Sequence, residues 1–158
     1  MAVAILGQAV LGEMILGNDG SGIEWKTPKT YWKNTDRFNI VDFNRIKNNL
    51  RFLHQKACKL YRNFDIENMG DEVTSYESYW NVAFFNAFET NVDVINNTIY
   101  TKDYGISQRF FENGPFIKWD ELNRIESACL SIKEILDRQE AGLRKLSFRF
   151  GSMKGVKA

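Results

Sequence analysis

Apolar residues recur every three or four positions in three separate stretches of the chain, which is the spacing of one buried helix face. The first stripe is Phe43, Ile46, Leu50, Leu53, Ala57 and Leu60. The second is Phe85, Phe88, Val92, Ile95 and Ile99, and the third is Leu122, Ile125, Cys129, Ile132 and Leu136. We therefore predict helices over about residues 40–62, 81–99 and 119–141, within a helical domain of residues 23–143.

The residues that precede these stripes differ in how well they suit a helix start. Asn39 and Asn81 are predicted N-caps, because an asparagine side chain can accept a hydrogen bond from the first helical turn. Lys118 holds the equivalent place before the third helix and is a poor cap. We predict that the third helix ends near Gly142, since glycine commonly follows the last helical residue.

The three stretches align on a shared asparagine. That residue is Asn44, Asn86 or Asn123, and the intervals are 42 and 37 residues. Six positions earlier each copy has an apolar residue, Phe38, Trp80 or Ile117. Arg45 and Arg124 follow the first and third asparagines, whereas Ala87 follows the second. Intervals of this length are typical of helical repeats, so we predict a mainly α, three-helix unit built from a degenerate internal repeat.

The first 22 residues are predicted to form an extended arm. Leu-Gly pairs begin at Leu6, Leu11 and Leu16, a spacing of five that fits neither the helical nor the strand period. The recurrent glycines disfavour a stable helix. Either the helical domain or a neighbouring subunit must cover these apolar residues, and we favour the neighbour.

The arm differs from a secretory signal peptide. It has no basic beginning, and Glu13 interrupts its apolar run. It is also too short and too rich in glycine to span a membrane. We expect it to stay on the protein, in the cytoplasm of the producing cell.

The C-terminal residues 144–158 are basic, with no acidic residue among them. Arg144, Lys145 and Arg149 are the candidate contacts here. Leu146, Phe148 and Phe150 alternate with polar residues, which predicts a short strand. This tail is either a patch for an acidic partner or nucleic acid, or an edge strand kept soluble by its charges. We favour the second interpretation.

The composition and the absence of known sequence motifs argue against enzymatic activity and metal binding. The 158 residues are 44% apolar, enough to bury the core of one domain, and the net charge of +1 lacks the basic excess of a dedicated nucleic-acid binder. Cys58, Cys129 and His54 are too few for a four-ligand zinc site of the usual Cys/His kind. No nucleophile, phosphate-loop or metalloprotease motif is present. We predict no enzymatic activity, cofactor or metal, and leave open whether the two cysteines pair.

Aromatic residues are the stronger indication of function. They make up 14% of the chain, and several fall between the predicted helices. Trp25 and Trp32 are candidate partner contacts because exposed aromatic side chains often anchor interfaces. The alternative is that these loop aromatics fold back as a second apolar layer over the helices.

Several stretches resemble tail-module structural proteins, of the tail tip or baseplate, from phages of Gram-positive bacteria and related tail-like particles. They are Thr27–Trp32, Asp36–Asn39, Asp42–Leu50, Gly114–Ile117, Leu122–Glu126, Gly142–Lys145 and Gly155–Lys157. The resemblance implies a multi-copy virion component, made in the bacterial host cytoplasm, that binds other tail proteins and itself. The alternative is a nucleic-acid-binding phage accessory protein that uses the basic C-terminal tail.

Overall fold

The computed structural model describes residues 22–75 and 81–151, with only the backbone described for residues 144–151. It contains three helices, α1 (Ile40–Leu60), α2 (Val82–Ile99) and α3 (Trp119–Gly151). The described residues include no strand, so the predicted mainly α fold is confirmed. The Leu-Gly arm lies outside the described residues.

The helix starts explain why the first two helices begin where the sequence predicts. Asn39 accepts hydrogen bonds from the first turn of α1, and the Asp42 carboxylate accepts one from the Asn39 N–H in return. Asn81 caps α2 through the N–H of Ala83. Lys118 offers no such oxygen before α3, but Glu121 accepts the Lys118 N–H at 2.9 Å. That bond supplies half of a capping box.

The C-terminal prediction is wrong. We expected α3 to end near Gly142 and a strand to follow over Leu146–Phe150, but the backbone remains helical to Gly151. Gly142 does not adopt the left-handed conformation of a helix-ending glycine. Leu143, Leu146 and Phe150 also step by three and four, so the same residues fit a helix as well as a strand.

One hydrophobic core lies between the three helices, and all three predicted stripes contribute to it. Only the last residues of the first two stripes, Leu60 and Ile99, are partly exposed. Phe43 lies at the centre of an aromatic group, with its ring centroid 5.1 Å from that of Phe88 and 6.1 Å from that of Phe85. The core thus joins the start of α1 to the start of α2.

Contacts along α1 and α3 show that these helices run in the same direction. Arg45 pairs with Glu126, and further along Lys56 pairs with Asp137. Both pairs are 81 residues apart in sequence, which is the constant offset that parallel helices give.

The direction of α2 follows from its contacts with α3. Arg124, near the start of α3, pairs with Glu89 in the first half of α2. Lys102, just beyond the end of α2, donates to Ser131 at 3.1 Å, further along α3. All three helices therefore begin at one end of the molecule, the start end, and run towards the far end.

Because the helices are parallel, each connection must return along the length of the molecule. Three extended segments do this: S1 (residues 22–39), S2 (residues 61–75, the described part of the second connection) and S3 (residues 100–118). Each lies between two helices and runs opposite to them. None of the described helices is long and apolar enough to cross a membrane.

Candidate functional site

The molecule has three equivalent grooves, each filled by one extended segment. Seam 1 is α3, S1 and α1; seam 2 is α1, S2 and α2; seam 3 is α2, S3 and α3. The polar and charged side chains that the sequence aligned all lie in these seams. They are the best candidates for a functional constellation.

The shared asparagine makes the same pair of hydrogen bonds in every seam. Asn44 donates to the carbonyl oxygen of Val73 at 2.7 Å and accepts the Val73 N–H at 3.1 Å. Asn86 does the same for Phe110, at 3.0 and 2.8 Å. We call this arrangement an asparagine bridge, because the side-chain amide satisfies both backbone groups of one extended residue, as a neighbouring strand would.

The third asparagine bridge closes the ring. Asn123 donates to the Trp32 carbonyl oxygen at 3.0 Å and accepts the Trp32 N–H at 2.6 Å, across 91 residues of sequence. Each helix thus holds the segment that leads into the next one, with α3 holding the segment that leads into α1. The internal repeat therefore has a physical basis, a pseudo-threefold ring of helix and segment.

A second row of bridges follows five residues later in two of the three copies. Asn49 bridges Lys26 at 3.0 and 2.7 Å, and Asn91 bridges Glu67 at 2.7 and 2.9 Å. The third copy has the buried Ala128 at this place. The periodicity of the apolar stripes gave no reason to single out these asparagines.

Seam 3 is held at that level by other groups. Asn96 bridges Lys102 at 2.8 and 3.1 Å, and the Tyr104 hydroxyl lies 3.3 Å from Ser131 Oγ. The third copy therefore keeps its segment attached although it lacks the second asparagine.

Seam 1 contains a buried, two-pronged ion pair. Arg45 donates to Glu126 at 2.7 and 3.1 Å, and to Asp42 at 2.7 Å. Glu126 also accepts the Trp32 indole N–H at 2.9 Å and the Lys29 backbone N–H at 2.7 Å. Burial alone would lower the pKa of Arg45, but its bonds to Glu126 and Asp42 outweigh this effect and raise it.

Seam 3 repeats this arrangement. Arg124, equivalent to Arg45, donates to both carboxylate oxygens of the buried Glu89. Burial raises the pKa of Glu89 above its ordinary value, although the bonds from Arg124 and from the Gln108 backbone favour the charged form. In seams 1 and 3 the glutamate therefore holds both the neighbouring helix and a backbone N–H of the segment.

Seam 2 has the opposite chemistry at the same positions. Ala87 stands where the arginine would be, and Lys47 stands where the glutamate would be. Lys47 is fully buried and donates to the carbonyl oxygen of Asp71 in S2, while Arg51 donates to the neighbouring Gly70 carbonyl at 2.5 Å. Burial, assisted by the charge of Arg51, lowers the pKa of Lys47.

The polar and charged side chains of the seams form their hydrogen bonds with other groups of the same protein. Every buried side-chain nitrogen or oxygen among the described residues has a hydrogen-bond partner. The described residues also contain no group of three or more histidine, cysteine or acidic side chains that could hold a metal ion. What the described constellation does chemically is to fix the three segments to the helices.

His54 and Cys58 lie close together, and both side chains contact the same backbone carbonyl group. His54 Nε2 is 3.3 Å from Cys58 Sγ and 2.7 Å from the Phe64 carbonyl oxygen. Since a carbonyl only accepts, Nε2 carries the proton and cannot take one from the thiol. Cys129 is buried, which raises the pKa of its thiol, and both cysteines are free.

The predicted partner contacts fall in different places. Trp32 is 3% exposed and belongs to the core, and Trp25 is partly buried with its ring 5.7 Å from that of Phe52. The predicted contacts in the arm lie outside the described residues: Leu6, Leu11 and Leu16. Those in the tail lie on the helical backbone of α3, with side chains outside the described part: Arg144, Lys145 and Arg149.

Four of the exposed apolar side chains lie at the start end. Val41 and Phe111 are each 68% exposed, Phe116 is 55% exposed and Trp119 is 47% exposed. We call these four residues the start-end surface. Phe111 and Phe116 are among the aromatic residues between the predicted helices, whereas no sequence pattern singled out Val41 and Trp119. Both are apolar residues that fall off the helical stripes, and that is the indication that could have found them.

No protein-family model matches the chain, and searches of curated proteins and of solved structures returned no match.

Proposed function

We propose that the protein is a multi-copy structural or adaptor component of a phage tail or baseplate, without enzymatic activity. It would be made in the bacterial host cytoplasm and carried in the virion, bound to other tail proteins and to itself. The resemblance of Asp42–Leu50 and Leu122–Glu126 to tail-module proteins is the source of this proposal.

The proposal is supported most by the contrast between the buried charged residues of the seams and the exposed apolar residues of the start end. The buried charged groups of the seams are used to hold the segments in place. At the start end, four apolar side chains are 47–68% exposed among polar neighbours such as Lys118 and Asp120. A rigid body that presents apolar side chains fits a role in assembly better than one in catalysis.

A direct test is to locate the protein in native particles. Antibodies against the full chain, detected with gold in electron micrographs of purified particles, should label one position on the tail. Unlabelled particles, with all of the protein left in the particle-free fraction, would contradict the proposal.

A second test concerns the arm. Removal of residues 1–17 should leave a helical protein, by circular dichroism, that no longer enters particles. The matched variant replaces Arg144, Lys145 and Arg149 by glutamine and should still enter them. If the shortened protein unfolds instead, the arm belongs to the core and its proposed docking role fails.

The alternative function is nucleic-acid binding through the basic C-terminal residues. One observation favours it: α3 continues ten residues past the level at which α1 ends, given their constant offset, and Arg144, Lys145 and Arg149 lie on this extension. This hypothesis predicts DNA binding that weakens steeply with salt and is lost in the glutamine variant. Retention of particle entry by that variant would favour the structural role.

A further inference from the structure

The path of S1 fixes where the arm leaves the helical domain. Trp32 is bridged by Asn123 near the start of α3, and Lys26 is bridged further along α1 by Asn49. Trp25 lies still further along, with Lys133 Nζ 5.5 Å from its ring centroid. Followed backwards, S1 therefore runs from the start end towards the far end. The arm joins S1 at Gly22 and so leaves the helical domain at the far end.

The start-end surface lies at the opposite end. The Phe116 ring packs 5.2 Å from Phe85 of α2 and 6.3 Å from Phe38, which precedes α1. It thus spans the beginnings of two helices. Phe111 and Trp119 flank it in sequence, on either side of a turn closed by the Gly114 N–H and the Phe111 carbonyl at 2.9 Å.

The three grooves that could lead the arm back to this surface are already filled. S1, S2 and S3 occupy one groove each, attached by the asparagine bridges. An arm returning to its own start end would have to lie outside these segments. A second copy whose start end faces the far end of the first meets the arm where it leaves.

The chemistry of the arm fits such a surface. It supplies a leucine at every fifth position and no basic residue, so it can bury apolar area without burying a positive charge. Glycine after each leucine lets the backbone approach flat aromatic side chains closely. The arm and the start-end surface thus both offer apolar side chains.

We propose that the Leu-Gly arm of one copy docks on the start-end surface of the next, so that copies associate head to tail. The contact joins two different surfaces of the same chain, so it can be repeated from copy to copy. This inference rests on the proposed structural role in one respect, that copies of the chain bind one another.

The test is photo-crosslinking in the full-length protein. A benzophenone amino acid replaces Phe111, and ¹⁵N-labelled and unlabelled copies are mixed before irradiation and mass spectrometry. The matched control carries the same group at Ile106, which is 83% exposed on S3 away from the helix starts. We expect crosslinks from position 111 to arm peptides of the other isotope, and none to the arm from position 106.

Three outcomes would overturn the inference. Arm crosslinks confined to one isotope would mean that the arm covers its own copy. Mixed-isotope crosslinks to another segment would mean that copies meet through a different surface. Absence of crosslinks in a protein that sediments as a monomer would remove the contact altogether. Gold labelling of particles is independent of all three, so the proposed location in the tail can be supported whichever of them occurs.

Sedimentation of variants supplies a second measurement. Phe111→Asp should weaken self-association at least about tenfold, because a charge at an apolar contact centre removes more than 1.4 kcal/mol of binding. Ile106→Asp should leave it unchanged. Both side chains are exposed, so circular dichroism should show the same helical content. Equal weakening by both variants, or none by Phe111→Asp, would contradict the proposed surface.

Discussion

All three seams hold an equivalent extended segment, but seam 2 does so with chemistry opposite to that of seams 1 and 3. In seams 1 and 3, a buried glutamate takes a backbone N–H of the segment and the arginine of the next helix. In seam 2, Lys47 donates to a carbonyl of the segment and Ala87 leaves no arginine to meet. The two changes belong together, since a glutamate at position 47 would be buried without its partner charge.

The comparison shows which interaction the repeat maintains. Ala87 cannot form the helix-to-helix ion pair of the other seams, yet in the described part of seam 2 the bond from helix to segment remains with its direction reversed. The asparagine bridge is the same in all three seams. Attachment of the segments therefore defines this fold more than any particular charge does.

The largest effect on stability is expected at Glu126, the glutamate that accepts the most hydrogen bonds. Two nitrogens of the mostly buried Arg45 guanidinium donate to the Glu126 carboxylate, and Glu126→Ala removes both bonds. The same substitution removes the acceptor of the Trp32 indole N–H. We expect a loss of about 3–5 kcal/mol in the free energy of unfolding, measured by urea denaturation. Glu134→Ala breaks the exposed pair with Arg138 and should cost less than about 1 kcal/mol. Equal losses would show that burial of the pair does not matter.

The asparagine bridge should follow in size, and it should do so in every seam. Asn44→Ala removes the partners of both backbone groups of Val73, at about 1–2 kcal/mol for each group because Val73 is only partly buried, so we expect a loss of about 2–4 kcal/mol. Asn48→Ala, one turn on, breaks only a side-chain bond to Glu72 and should change stability little. A bridge in one seam worth much less than in the others would contradict the equivalence of the repeats.

Seam 2 can be converted to the chemistry of the other two. Lys47→Glu and Ala87→Arg should each destabilise the protein, because each alone buries a charge without its partner. The double variant should recover part of the loss, with a coupling energy of about 1–3 kcal/mol in a double-mutant cycle. Additive losses would mean that the two positions do not face each other as their equivalents do.

The smallest effect is expected at the outer edge of seam 1. Partial burial would raise the pKa of Asp137, but its bonds from Lys133 and Lys56 outweigh this effect and lower it below 3.8. Its stabilising contribution is therefore present above pH 3.8 and lost as the pH falls through the lower, folded-state pKa. Asp137→Asn should cost less than about 1 kcal/mol at pH 7, because the side chain is well exposed.

Low pH should abolish the difference in stability between Asp137→Asn and the parent protein, and high salt should reduce it. At a pH below the folded-state pKa both residues are neutral, so urea denaturation should give the same stability for each. At high salt the ion pairs are screened, and the difference should shrink. A difference that persists in both conditions would point to packing instead of charge.

The local pattern determined the helices. Stripes with a step of three and four predicted all three helices and most of the core, because burial of one helical face constrains residues close in sequence. Asn39 and Asn81 could be predicted as caps because an N-cap side chain bonds to backbone groups only two or three residues away. The end of α3 was missed, because Leu146 and Phe150 fit a helical step and a strand alternation over so short a stretch.

The sequence by itself also marked Asn44, Asn86 and Asn123 as equivalent, but it did not show what they bind. Their partners lie between 24 and 91 residues away, on extended segments without any periodic pattern. Only the tertiary structure decided that these segments return along the grooves, that Trp32 faces the core, and that Phe111 and Trp119 remain exposed. The physical reason is that helix formation depends on neighbouring residues, whereas the hydrogen bonds of an extended segment must be supplied by whatever folds against it.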